Sequence, residues 1–397
     1  MSKKFSLLLG LMPVFFGLAG ATGGEISVNV NSDVVTQAAA DACKARIVFL
    51  GGPASHGSAK SLEFEGALVE KLISRCQFNH VVFEAPIYDL LDIQRRLRNG
   101  GDVSKQEMLD AVGGIWSDTR EFQDAADFLA ARLRKKTVVI DGMADHIGAT
   151  GDYVNSHMAS ELASYLPKAK RDACLDKFET HINWKYDAAH PYTATDKAAL
   201  LTCLHDISNE QLKSNARDGW IPRAVIASLT RYISRDFIFD NDWDGGFRER
   251  DRSMAMNFEL LSREHPATKT IVWGATIHLA KSLKNVSGGT SKLQAFGPTV
   301  IKDMGLRPFV IATSALSGTE GRAKPKPLPT APADSLEVQS FQNTNDTVVY
   351  KNAIQLSELG SIPARIVTGD YTRADWQTAI DALVVFKVDT AVSITHK

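Results

Sequence analysis

Apolar runs of buried-strand length recur along this chain, and between them lie segments whose apolar residues repeat every three to four positions. The first run, Ile47-Val48-Phe49-Leu50, passes into Gly51-Gly52-Pro53-Ala54-Ser55-His56-Gly57, where glycines break the strand and carry His56 beyond its carboxyl end. Residues 61–75 place Leu62, Leu68, Val69 and Leu72 on one side of a predicted helix, and Val81-Val82-Phe83 then forms a second strand leading into Glu84. Strand, helix, strand units of this kind build parallel sheets. His56 and Glu84 are therefore expected at the carboxyl edge, where open α/β sheets bind ligands.

The same rhythm continues with one interruption. Residues 121–134 give an amphipathic helix (Phe122, Ala125, Ala126, Phe128, Leu129, Leu133), and Thr137-Val138-Val139-Ile140 a third buried strand ending at Asp141-Gly142, which would bring another carboxylate to the edge. From about residue 152 to 236 no strand-like run occurs. The spacing of Leu162, Tyr165, Leu166, Leu175, Phe178, Leu200, Leu204, Val225, Leu229 and Ile233 predicts several packed helices lidding the site. A helix over 253–262, a strand over 270–273 and a loop at 274–278 resume the sheet. Further strands are expected at 309–312, 347–350 and 383–388, antiparallel pairs at the edge among them, with a polar surface loop at 323–329. The predicted fold class is α/β, a mostly parallel, mixed central sheet flanked by helices. Residues 22–150 and 237–397 form the two parts of the sheet domain, and residues 151–236 an inserted helical subdomain.

Composition narrows the partners. The 397 residues, 44% of them hydrophobic, suffice for a sizeable core, and 45 basic against 46 acidic residues give no global field for nucleic acid. Lys3 and Lys4 precede an apolar stretch over residues 5–18 and the small residues Ala19-Gly20-Ala21. This pattern predicts a signal peptide over residues 1–21, a mature chain starting near Thr22, and a periplasmic or secreted protein without stable membrane insertion. In an oxidising compartment the four cysteines suggest two disulfides, Cys43 with Cys76 and Cys174 with Cys203, although three pairings are formally possible. The first pair is expected to join the amino ends of two neighbouring parallel strands.

Several familiar chemistries are missing. Ser55 beside His56 lacks the Gly-x-Ser-x-Gly elbow of a serine hydrolase, and Gly51-Gly52 lacks the Lys-Ser/Thr of a phosphate-binding loop. Trp116, Trp184, Trp220 and Trp243 suit core packing better than ligand stacking, while Trp184 and Tyr186 beside His181 and His190 offer a wall for a bulky apolar substrate.

Four stretches carry a resemblance. Gly52-Pro53-Ala54-Ser55-His56-Gly57, Phe83-Glu84-Ala85, Arg250-Asp251-Arg252-Ser253-Met254-Ala255-Met256-Asn257 and Trp273-Gly274-Ala275-Thr276-Ile277-His278 stand in the order of the motifs of the erythromycin esterase family, which the chain resembles over roughly residues 45–395. The resemblance implies hydrolysis of a small-molecule ester or lactone, macrolide lactones being the family's substrates. His56 would be the general base that activates water, Glu84 would orient or polarise it, Arg250 would stabilise the oxyanion, and His278 would donate a proton or hydrogen bond. No cofactor is needed on this reading. Three positions depart from the family pattern: Pro53 replaces an acid, Glu65 an arginine and Ala275 a histidine. Two alternatives follow. His56, Glu84 and His278, with Asp141 as a fourth ligand, have the composition of a site for one divalent transition metal in a metal-dependent hydrolase. The other is a non-catalytic protein binding haem or another small molecule on a degenerate hydrolase scaffold, since relatives of this fold include a haem-binding protein.

Overall fold

The computed structural model describes residues 32–148, 150–213, 219–235 and 243–395. The expected signal segment, the expected start at Thr22 and the side chain of Trp243 lie outside the described residues. In chain order the elements that build the site are α1 (Ser32–Ala42), β1 (Ile47–Gly52), α2 (Ala59–Cys76), β2 (His80–Pro86), α3 (Ile87–Arg98), α4 (Gln123–Arg134) and β3 (Val139–Ala144). There follow α5 (Lys168–Ile182), α6 (Ala194–Lys213), α7 (Trp220–Ser234), α8 (Trp243–Glu264), β4 (Thr270–Ala275), β5 (Phe309–Glu320), β6 (Val348–Asn352) and β7 (Ala382–Asp389).

The strands lie in the order β3-β2-β4-β1-β5-β7-β6, parallel except for the β6 edge, which runs antiparallel to β7. The fold is thus α/β with a mostly parallel, mixed sheet. Strand parity divides the interior in two. Val48, Leu50, Val81, Phe83, Ile271, Trp273 and Ile311 meet α1, α2 and α4 on one face, and Phe49, Val82, Val272, Val310 and Ala312 meet the helices that precede β4 on the other. Strands covered on both faces must be apolar at every position, which is why these runs are unbroken.

Three local expectations are corrected. β1 and β2 are not neighbours, because β4 inserts between them: the crossover through α2 skips one place in the sheet. The Cys43–Cys76 disulfide forms nonetheless, joining the turn after α1 to the last residue of α2 at a Cα separation of 5.2 Å, and Cys174–Cys203 ties α5 to α6 at 5.8 Å. Lys269, just before β4, donates to the carbonyls of both Cys43 (2.8 Å) and Cys76 (3.0 Å). Next, β3 runs on to Ala144, so Asp141 lies within the strand rather than at its carboxyl end. Finally, Lys326–Pro327, expected in a loop, pairs with Thr319 and Glu320 of β5.

Between β3 and β4 the described residues form helices without strands. Phe178 of α5, Leu204 of α6 and Leu229 of α7 belong to the same continuous apolar cluster as Tyr88 of α3, Met143 of β3 and Met254 of α8. The helical segment therefore shares the sheet's core on that face. Among the described residues no helix is long and apolar enough to cross a membrane.

Candidate functional site

The chain moves from β1 to β2 on one side of the sheet and places β5 on the other, so the strand order reverses between β4 and β1. Ligands of open α/β sheets bind at such a reversal, beyond the carboxyl ends. His56 follows β1 in a turn closed by its own amide on the Pro53 carbonyl (2.9 Å), with φ at +47°, a conformation costly for a residue with a Cβ and concentrated at functional sites. His278 follows β4 in the short helix Thr276–Leu279.

Glu84 comes from β2 itself. It shares parity with Val82, so its side chain faces the layer that holds α8. Its Oε1 accepts from Arg250 Nη2 of α8 at 2.7 Å and lies 3.3 Å from His278 Nε2. Its Oε2 accepts from the Ala275 amide at 2.9 Å and lies 3.6 Å from His56 Nε2, just beyond hydrogen-bond reach. A Cβ on Gly274 would stand 2.9 Å from the Glu84 side chain, so only glycine lets the carboxylate cross the end of β4.

The four residues His56, Glu84, Arg250 and His278 are thus brought together, with two neighbours that the sequence did not single out. Asp251 is the first: His278 Nδ1 meets its carboxylate at 2.9 Å, and the Phe296 amide donates to it at 2.7 Å. The helical spacing of the Arg250 motif explains itself here. Arg250 faces the cluster, Met254 is buried, and Asn257 donates to the Met143 carbonyl at 2.9 Å, docking α8 on β3. His146 is the second. It follows β3, and Arg250 and Glu84 both act on it electrostatically. The apolar Met143-Ala144 continuing past Asp141-Gly142 was the signal that would have found it.

The environments drive the two site histidines apart. Burial lowers the pKa of His56, partly offset by Glu84, so the ring is neutral near pH 7. Burial also disfavours the His278 imidazolium, but Glu84 and Asp251 outweigh it and raise that pKa to about 9. Glu84 pays the desolvation of full burial, yet facing His278, then His56 and Arg250, it is held well below the usual carboxylate range. Glu84 is thus already matched by Arg250 and His278, and both of these cations oppose a proton on His56.

Glu65 stands in α2 on the far side of His56. It accepts from Trp273 Nε1 at 2.7 Å, and burial pushes its pKa up to about 8 against the opposing hydrogen bonds of Trp273 and Thr313. A cavity of about 10 Å³, close to the room one water needs, is lined by His56, Pro53, Ser61, Glu65 and Trp116, among others. Trp116 packs edge-on to the His56 ring, at 5.5 Å between centroids, and against Trp273 and Phe83 in the core. Trp184, by contrast, is 48% exposed, in an aromatic group with His181, Tyr186 and Tyr192.

Asp141 does not join this cluster; its carboxylate pairs with His80 at 2.9 Å. The remaining donor set does not fit a divalent metal ion. The Arg250 guanidinium already lies on Glu84 Oε1 and 3.4 Å from His278 Nε2, and among the described residues the ligand atoms of His56, Glu84 and His278 do not gather closely enough to hold one ion.

The family model described as erythromycin esterase matches residues 73–388. Among solved structures, a Bacillus cereus protein shares 18% identity at a TM-score of 0.64, covering 88% of this chain and 90% of its own. A succinoglycan biosynthesis protein shares 13% at 0.67, covering 88% and 90%. The erythromycin esterase EreC in its open conformation shares 14% at 0.63, covering 90% and 93%. At these identities the structural matches establish the fold alone. No curated protein sequence matches the chain.

Proposed function

Because the chain belongs to the erythromycin esterase family, we propose that it hydrolyses a carboxylic ester or lactone of a small molecule, with His56 as the base that activates water. The observation that carries this reading is the placement of two buried histidines on Glu84, His56 Nε2 3.6 Å from Oε2 and His278 Nε2 3.3 Å from Oε1, in surroundings that lower the pKa of the first and raise that of the second. Titratable groups whose environments push their pKa values apart mark acid and base roles.

In the proposed reaction a water beside His56 gives it a proton while its oxygen adds to the ester carbonyl. Arg250, whose side chain is 34% exposed beside the otherwise buried cluster, is the cation with room to meet the oxyanion. His278, oriented by Asp251 on its Nδ1, stands against Glu84 and Arg250 and adds positive charge behind them. When the intermediate collapses, His56 returns its proton to the leaving alkoxide, which restores the neutral base. The two disulfides suit an exported protein, and a periplasmic or secreted location is part of the proposal.

The test is turnover of short acyl esters, lactones and macrolides by wild type beside His56→Ala. The expected result is a loss of about 10²- to 10⁴-fold in kcat, the range for removing a general base, with the fold intact by circular dichroism. Turnover equal in the two proteins overturns the role of His56. No turnover by wild type on any substrate, with thermal stabilisation by one of the same compounds, assigns the scaffold to binding instead.

A further inference from the structure

We propose that His80, Asp141 and His265 form a binding site for one divalent transition-metal ion of the zinc class, about 13 Å along β2 from Glu84 on the same face of the sheet. His80 opens β2, Asp141 stands on the neighbouring β3, and His265 follows the last turn of α8. The three ligand atoms lie within 4.8 Å of one another. Asp141 Oδ2 is 2.9 Å from His80 Nε2 and 3.7 Å from His265 Nε2. These separations bracket the roughly 3.3 Å between ligands that tetrahedral zinc requires at bond lengths of about 2.0–2.1 Å. Two imidazoles with one carboxylate are a donor set that such ions take, leaving one position open.

Two further features point to an ion rather than to an ordinary buried pair. His265 Nε2 is shielded from solvent and has no hydrogen-bond partner, since 3.7 Å is too long for one. The outer partners are those of a metal site: Gln94 donates to the other oxygen of Asp141, and Thr270 Oγ1 lies 3.4 Å from His80 Nδ1. Thr270 Oγ1 beside Nδ1 can take that nitrogen's proton, which would leave His80 Nε2, now paired with Asp141, free to bind an ion. A cavity of about 310 Å³, bordered by Gln94 and His265, gives an entry path. Arg98 and Lys136 also line it: Arg98 lies over the Trp220 ring and donates to Gln94 Oε1 at 3.4 Å, and Lys136 donates to the Leu97 carbonyl. Bound there, the ion would tie the carboxyl end of α8, whose other half carries Arg250 and Asp251, to β2 and β3.

The experiment is a titration of the full chain, stripped with a chelator and dialysed, with Co²⁺ alone and then with Zn²⁺ in competition, for wild type, H265Q, D141N and H56A. We expect one equivalent of Co²⁺ with visible bands of tetrahedral intensity, displaced by Zn²⁺. H265Q and D141N should each weaken binding by at least the 10- to 100-fold that loss of an outer partner costs, while H56A leaves it unchanged. Circular dichroism of each variant in chelator separates lost ligation from lost folding. Absence of binding to folded wild type at micromolar metal, or H265Q and D141N that bind as wild type does, overturns the proposal. So does a loss that follows H56A. None of these outcomes bears on ester turnover, so the two proposals stand or fall separately.

Discussion

Glu65→Gln tests the electrostatics around His56 through stability alone. The carboxyl is 3% exposed and has a pKa of about 8 because burial penalises its ionised form more than Trp273 and Thr313 stabilise it. In the unfolded chain it titrates near 4.5. A folded pKa above the unfolded one means the group favours the fold below about pH 4.5 and that this contribution is lost as pH rises to about 8. At pH 7 the difference of about 2.5 units amounts to roughly 3 kcal/mol, growing towards about 5 kcal/mol above pH 8. Glutamine keeps the acceptor for Trp273 Nε1 and has nothing to ionise. Wild type and E65Q should therefore differ by no more than about 1 kcal/mol near pH 4.5, and E65Q should be the more stable by about 3 kcal/mol at pH 7. With an unfolding entropy of about 2.1 cal/mol/K per residue over 397 residues, that is about 4 °C in Tm. Thermal melts of both proteins in half-unit steps from pH 4.5 to 8.5 supply the curves. Parallel profiles would refute the argument, because they would mean that Glu65 is ionised in the fold without penalty.

Other expectations follow from the same geometry. The kcat/KM profile should rise below pH 6.5 as His56 loses its proton and fall near pH 9 as His278 does, and in H278Q the alkaline limb should disappear; a limb that stays at 9 in H278Q assigns it to another group. Removing the Cys174–Cys203 bridge as C174A/C203A, a loop with a separation of 29 residues, should cost about 3–4 kcal/mol in the chain-entropy account, read from urea midpoints. An unchanged midpoint would mean that α5 and α6 are held by packing alone.

The strands were legible because each is covered on both faces, so runs such as Val48-Phe49-Leu50 and Ile271-Val272-Trp273 carry no polar interruption. The same rule misplaced the end of β3. Its run breaks at Asp141, a buried carboxylate whose pairing with His80 makes it compatible with the interior, and the strand continues to Ala144. Asp145-His146 at the true edge was thereby missed. Order along the chain says nothing of order across the sheet, hence the misjudged neighbours of β1. His56, Glu84, Arg250 and His278 were found through local motifs, each beside a turn or a strand end. His80 and His265 have no such motif and meet because α8 runs back along β2 and β3, a fact of packing that no spacing in the sequence expresses.

The departures at Pro53 and Glu65 fall on one wall of the site, beside His56. In the pattern that the sequence resembles, the first turn carries an acid at the place of Pro53, and α2 an arginine at the place of Glu65. Both residues line the cavity beside His56. Proline brings no charge, and burial pushes the Glu65 pKa up to about 8, so the wall beside His56 carries no charge at neutral pH. Against that pattern, the wall has lost an acid and a cation near the reacting centre. Gly52 leaves room for this carboxyl, since a Cβ there would lie 2.8 Å from Glu65 Oε1. The burden of cationic stabilisation then falls on Arg250, hydrogen-bonded to Glu84, and on His278, which Glu84 and Asp251 keep protonated.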